Sequence, residues 1–314
     1  MNKKLDYSSN KVKFLILPLA IIVAGIIMFF IRGGFNFDVE FVGGIRMQVD
    51  INDNFSNADI KTLVKDATGL EATVQKATGN TVVIKLPSTN EEDGGEANKN
   101  KVLTALEDKF GDKVDTQHAE FSSAAASFGA KVQTKAITYT LIAILCILIY
   151  IIIRFEWRSA IMAVIALAIN VLVMVSIYTI TNIAINTTFI AAMLTVVGYS
   201  INNTIVIFDR IRENLKSRKR TESISEMTNR SISETLGRTI NSTITTLITI
   251  VLIYILGVTT IKEFALPLII GIIIGAYTSI FIASTFWAAW KESDVEAKAA
   301  AAAERRASSK KNNK

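Results

Sequence analysis

Histidine, cysteine and proline are nearly missing from this chain. The single histidine, His118, leaves no His-based metal cluster, and the single cysteine, Cys146, lies inside an apolar run, which excludes a disulfide scaffold. Three prolines in 314 residues suit a mostly helical chain. Charge is scarce as well: 20% of residues are charged, against about 25% in a soluble globular domain. No charged residue occurs from Ser159 to Phe208, from Thr239 to Ile261 or from Phe264 to Trp290. About 20 apolar residues span the hydrocarbon of a bilayer, so these stretches are expected to be membrane helices, and a soluble enzyme is excluded. A Gly-rich phosphate loop ending in Gly-Lys-Ser/Thr, a Cys-x-x-Cys pair and a His-Glu-x-x-His motif are all absent from the sequence. No catalytic residue, metal or cofactor is expected.

What is present is organised by charge. The formal net charge is +6, but it is not a nucleic-acid signal. Residues 33–130 hold 9 basic and 16 acidic side chains, net −7. The remainder therefore holds 34 − 9 = 25 basic and 28 − 16 = 12 acidic, net +13. Lys and Arg concentrate on the cytoplasmic side of membrane proteins. Six apolar spans are expected, at residues 14–31, 136–153, 159–178, 185–208, 239–258 and 264–290. The first is too long for the core of a cleaved signal peptide, and Met28-Phe29-Phe30-Ile31 is no cleavage site. An even number of spans puts both termini on one side, together with the basic segments 1–13, 154–158, 209–238 and 291–314. That side is expected to be the cytoplasm, and the acidic segment 33–130 is expected outside.

That segment reads as a small α+β domain. Residues 45–51 alternate as a strand, and Ser56 caps a helix with Ile60, Leu63, Val64 and Ala67 on one face. Residues 70–76 and 81–86 read as strands joined by a turn at Thr78-Gly79-Asn80, and residues 87–95 as a polar loop. A second helix to Phe110 and a strand over 113–121 complete a β-α-β-β-α-β order, that of the ferredoxin-like fold. An α+β domain with another strand order is the alternative. Gly43-Gly44 marks a tight turn or bulge.

Polar residues inside the spans mark helix contacts or pathways, because polar groups in lipid must find partners. In helix four, Thr195, Tyr199, Asn202 and Asn203 fall within about a third of the circumference. Helix five shows Arg238, Ser242, Thr245 and Thr249 at spacings of four, three and four. Asn170 in helix three lies about 12 residues, roughly 18 Å, from the cytoplasmic edge. These residues either line an ion path or form interhelical hydrogen bonds worth about 0.6 kcal/mol each. Arg238 sits at the start of its span, where it can snorkel to the edge. Helix six carries Gly271, Gly275, Ser279 and Ala283 at intervals of four, a small-residue stripe for close helix packing within this chain or against another subunit. Asp209, Arg210, Arg212 and Glu213 end helix four as a charged segment, by itself an ordinary solvated helix end.

Residues 192–214, with Gly198, Tyr199, Ser200, Asn202, Asn203, Asp209, Arg210, Arg212 and Glu213, closely resemble the fourth-helix signature of SecF in the SecD/SecF family of the bacterial Sec protein translocase. Residues 154–158 resemble the family's turn after helix two, and residues 234–240 its approach to helix five. Residues 264–284 resemble its sixth helix, and residues 37–44 the approach to its external domain, with Glu40 where Asp is usual. The resemblance spans about residues 14–290. It implies one half of a membrane core of the resistance-nodulation-division type. A SecD-like subunit would supply the other half, working with the SecYEG channel on exported unfolded polypeptides in the membrane lipid and driven by the ion gradient. The family usually carries Asp where this chain has Asn203, and commonly where it has Asn170; Arg238 is kept. An assembly factor of the Sec complex without ion coupling, or half of a small-molecule or lipid exporter, are the alternative readings.

Overall fold

The structure, a computed structural model, describes residues 6–76, 80–87, 94–124, 126–154, 156–219 and 221–312. The expected turn at 78–79 and most of the loop at 87–95 lie outside them, as does Phe155.

Helix α1, Lys11–Arg32, ends on Gly33 in the left-handed conformation, whose N–H returns to the carbonyls of Phe29 and Phe30. A short helix, α2, Val39–Val42, follows; the Asp38 side chain accepts the Val39 N–H at its start. Then come β1, Gly44–Ile51; α3, Asn57–Thr68, capped by Ser56, which accepts from the Ala58 and Asp59 N–H groups; β2, Thr73–Lys76; β3, Thr81–Pro87; α4, Gly94–Phe110; and β4, Val114–Ala124. The four strands make one antiparallel sheet in the order β2-β3-β1-β4. Alternation along β1 sends Ile45, Met47, Val49 and Ile51 to one face, where Ile60 and Val64 of α3 and Val102 and Leu106 of α4 close over them. The other face carries Arg46 opposite Lys85 in register.

The rest is helical. Helix α5 is Ala126–Arg154, α6 Trp157–Thr181, α7 Thr187–Lys216 and α8 Ile224–Leu256. Asn182 ends α6 at φ 58°, and the Asn186 side chain opens α7 by accepting the Phe189 N–H at 2.8 Å. A full capping box, Ser223 with Glu226, starts α8. It runs without a break from the polar segment into the apolar one. Helix α9, Thr259–Thr278, continues through a π-helical turn at Ser279–Ala283 into α10, Ser284–Asn312.

Five of these helical runs are long and apolar enough to cross a membrane: α1, α6, α7, α8 and the α9–α10 run. The apolar run of α5, Leu141–Ile153, is shorter. The chain is a polytopic α-helical membrane protein with a small β-sheet domain near its N-terminus. Within the bundle α7, α8 and α9 pack against one another, and α1 lies along α6. There Gly25 lets α6 approach so closely that a Cβ would fall 2.4 Å from Ser176 Cβ, and Arg32 Nη1 donates to the Thr179 carbonyl at 2.6 Å.

Candidate functional site

The small-residue stripe of α9 meets neighbours in this chain. A Cβ on Gly271 would lie 2.5 Å from Val196 Cγ2 and 2.7 Å from Met174 Sδ. One on Gly275 would lie 1.9 Å from Ser200 Oγ and 2.9 Å from Asn170 Nδ2. The two glycines thus let α9 settle into the groove between α6 and α7. Ala283 continues the stripe, 1% exposed, in the core with Ile207 and Trp287.

A buried polar layer forms where these helices touch. Asn170 Nδ2 donates to Ser200 Oγ at 2.7 Å and to the Gly271 carbonyl at 3.3 Å. Thr204 Oγ1 and Ser279 Oγ share a hydrogen bond at 2.7 Å, and Ser279 Oγ also donates to the Ser200 carbonyl at 3.3 Å. Ser279 begins the π-helical turn, and single π-turns inside α-helices are frequent at functional sites. Two buried atoms of this layer have no partner among the described residues: Asn170 Oδ1 and Asn203 Nδ2.

The remaining polar residues singled out from sequence point elsewhere. Tyr199 is half-buried, its hydroxyl within 3.2 Å of both the Ser242 carbonyl and Thr246 Oγ1, where it ties α7 to α8. Thr195, Asn202, Arg238, Ser242 and Thr245 are exposed. Three of them bond back to their own helices: Thr195 to the Ala191 carbonyl, Ser242 to that of Thr239 and Thr245 to that of Asn241. Asn203, one residue beyond Asn202, is turned inward and 2% exposed. The structure therefore divides the sequence-derived set in two: Asn170 and Asn203 with the α9 stripe inside the bundle, and an outward polar face on α7 and α8.

At the far end of α7, Arg210 Nε donates to Glu234 at 2.6 Å, and Asn214 Nδ2 donates to Ser231 Oγ at 2.9 Å and to Glu234 at 2.7 Å. The charged signature so joins α7 to α8, with Asp209, Arg212 and Glu213 exposed around it. Among the described residues no group of three or more His, Cys, Asp or Glu is arranged to hold a metal ion.

Two charge clusters escaped the sequence reading. At one end of α6, Glu156 accepts from Lys291 and Arg158, while Arg158 also pairs with Asp294 and lies over the Trp157 and Trp290 rings. At the end near the sheet, Asp38, Arg46, Lys85 and Glu263 come together beside a cavity of about 210 Å³. Two signals in the sequence mark the second cluster. Lys85 interrupts the apolar strand Val82–Leu86, and Glu263 lies between two long uncharged runs.

Helices packed through a glycine stripe around a polar layer, with a small β-sheet domain between the first and second long helices, define a membrane transport subunit rather than a soluble protein. The family profile described as protein export membrane protein SecD/SecF, C-terminal, matches residues 103–293. The chain is 36% identical over 286 residues to the protein translocase subunit SecF of Alicyclobacillus acidocaldarius, covering 88% of this chain and 90% of that one. It is 33% identical over 273 residues to SecF of Gemmatimonas aurantiaca, covering 85% and 81%. The crystal structure of SecDF from Thermus, a translocon-associated membrane protein, superposes with a TM-score of 0.81 at 27% identity over 92% of this chain. This chain spans 39% of that longer one. The chain belongs to the SecD/SecF family of protein export membrane proteins.

Proposed function

We propose that this chain is the SecF-type accessory subunit of a Sec translocase. In this reading it assists protein export by pairing in the membrane with a SecD-like subunit beside the SecYEG channel. It is a transport subunit, not an enzyme. The observation that carries the reading is the outward polar face. Thr195, Asn202, Arg238, Ser242 and Thr245 are exposed on α7 and α8, and the same stretch of α8 also exposes Ile240, Ile244 and Ile248. Polar groups that face lipid must find partners, so this face calls for a second membrane protein rather than lipid.

The same reading gives six spans, with α5 as the second. Its 29 residues reach about 43 Å, and residues 136–153 carry no charge. With both termini and the basic segments cytoplasmic, the sheet domain is extracytoplasmic. Its element order and its strand order β2-β3-β1-β4 support a ferredoxin-like domain bounded near residues 33–130. Asn170 and Asn203 cannot exchange protons. Use of the ion gradient therefore rests on a carboxylate of the partner, with Arg238 facing it across the interface. The buried Asn pair also favours a second reading, an assembly factor of the same complex without ion coupling.

The experiment is export by membrane vesicles holding this chain and its natural SecD-like partner, with and without an uncoupler. Arg238→Ala is expected to reduce export and copurification of the partner while the chain itself inserts normally. Stimulation that disappears with the uncoupler supports ion coupling; stimulation insensitive to it supports the assembly factor. Unchanged copurification and export in Arg238→Ala together with Asn202→Leu would remove the proposed interface.

A further inference from the structure

We propose that the β-sheet domain is fastened to the membrane helices by a releasable ionic clasp, Arg46 and Lys85 against Asp38 and Glu263, and swings about Gly43-Gly44 when the clasp opens.

The clasp joins two bodies. Residues 36–42 belong to the helices. The Asp38 N–H donates to the Ile185 carbonyl at 2.9 Å, and the Ile185 N–H to that of Asn36 at 2.8 Å. Phe41 is buried with Tyr178, Ile185 and Phe189 of the membrane core. The sheet begins at Gly44, and its apolar core closes on itself under α3 and α4 without sharing a residue with that of the helices. The chain passes between the two bodies twice, from Ala124 of β4 toward α5 and at Gly43 (φ 80°) and Gly44 (φ 132°). These are conformations that residues with a Cβ rarely adopt, so the joint is built where only glycine is at ease.

Ion pairs cross the joint, beside the buried Val83 of β3, which lines the same cavity as Tyr178, Ile183 and Leu266. Arg46 makes two hydrogen bonds to the Glu263 carboxylate and stands 3.5 Å from Asp38; Lys85 Nζ lies 3.1 Å from Asp38. On the helix side the carboxylates are held in place: Asn186 Nδ2 donates to Glu263 at 2.8 Å, and the Thr187 N–H to Glu40 at 2.8 Å. Asp38 and Lys85 are 1% and 8% exposed, so these are buried charges and not a solvated fringe. Burial works to lower the Arg46 pKa, but the hydrogen bonds and charge of Glu263, with Asp38 and Glu40, outweigh it and hold the guanidinium above its usual range. Lys76 and Lys262 line the same cavity.

Such a joint is specific in position and weak in net energy. Removing one partner strands a buried charge, so the paired geometry is strongly preferred over any mispaired one. Opening the whole joint instead rehydrates every charge at once, so the gain from pairing is nearly offset by the desolvation it required. An apolar seam would behave in the opposite way, with a penalty that grows with the area exposed.

The position of Glu263 ties the clasp to the membrane. It lies in the early turns of α9, 8 residues before Gly271 and 12 before Gly275, roughly 12 and 18 Å along the same helix. A shift of α9 against Asn170 and Ser200 carries Glu263 with it and withdraws the carboxylate from Arg46. The clasp rests on the fold and not on ion coupling. Its test reads a distance, not export, so the two readings fail separately.

The full chain, with Cys146→Ser, is spin-labelled at Asp66→Cys on α3 and Thr181→Cys at the end of α6, and distances are measured in lipid nanodiscs. One narrow population is expected in this background, and a second, longer one in Arg46→Glu. Arg46→Glu with Glu263→Arg is expected to return the narrow population. Glu263→Gln keeps the side chain's shape and reads the same joint if Arg46→Glu does not fold; it is expected to show the longer population too. A narrow, unshifted distribution in both single variants, or a double variant as open as Arg46→Glu, overturns the clasp.

Discussion

Gly275 and Ser200 stand so close that no side chain fits between them: a Cβ on Gly275 would be 1.9 Å from the Ser200 hydroxyl oxygen, the same oxygen that accepts from Asn170. The closest approach of α9 to α7 therefore falls on the buried polar layer itself.

Gly275→Ala is expected to lower the melting temperature of the purified protein. The alanine gains up to about 1 kcal/mol in helix propensity, but overpacking costs about 1–3 kcal/mol, and the displaced hydroxyl also leaves Asn170. Ser200→Ala removes the obstructing oxygen. The loss caused by Gly275→Ala should be smaller in that background, a coupling that thermal melts of the four variants would read.

The two buried asparagines should respond in opposite ways. Asn170→Leu removes hydrogen bonds to Ser200 and Gly271 and is expected to cost about 1–3 kcal/mol. Asn203→Leu removes a donor that has no partner among the described residues, and should leave stability level or raise it. Equal losses in both variants would show that Asn203 is held by contacts of its own.

Glu156 makes the first turns of α10 sensitive to acid. Burial raises its pKa, but the hydrogen bonds and charges of Lys291 and Arg158 prevail and hold it below the usual carboxylate range. A depressed carboxyl contributes stability that is fully present above the unfolded pKa and is lost as pH falls through the folded one. Tryptophan fluorescence, which reads Trp157 and Trp290 beside the cluster, should therefore stay constant from neutrality to about pH 5 and change only below the ordinary carboxylate range. Glu156→Gln should flatten that change and loosen α10 to protease at neutral pH.

Residues 44–124 are expected to fold alone, because the core between the sheet and helices α3 and α4 is closed without help from the membrane helices. A mixed α/β circular dichroism spectrum with cooperative melting is the expected result; a random-coil spectrum under native conditions would sink it.

Local pattern carried the reading of this chain where the answer was local. Uncharged runs gave the long helices, and alternation in Gly44–Ile51 gave the face that packs. The polar stripe of α7 shows the limit. Thr195, Tyr199, Asn202 and Asn203 occupy one arc of the helix, yet the surrounding helices divide that arc, burying Asn203 and leaving Asn202 and Thr195 outside. Periodicity fixes which residues share a side, not which neighbour that side meets. Ser200 and Thr204, one turn apart on α7, form the buried layer with Asn170 and Ser279, and single hydroxyls in apolar helices are too common to signal that. The clasp was less legible still, since 217 positions separate Arg46 from Glu263, and nothing in either neighbourhood names the other.

The seat of α1 against α6 sets an order of events during synthesis. Gly25 and Arg32 find their partners, Ser176 and Thr179, only on α6, and 124 residues, 33 to 156, separate the two helices. At about 5–20 residues per second the ribosome needs roughly 6–25 s to make that length. For all of that time α1 has to remain in the bilayer with its glycine notch filled by lipid chains alone. Its exposed Ile16, Leu17, Leu19, Val23, Ile26 and Ile27 suit it to that wait. A mutation that weakens the notch would then leave insertion intact and show itself only later, as a first helix that never docks.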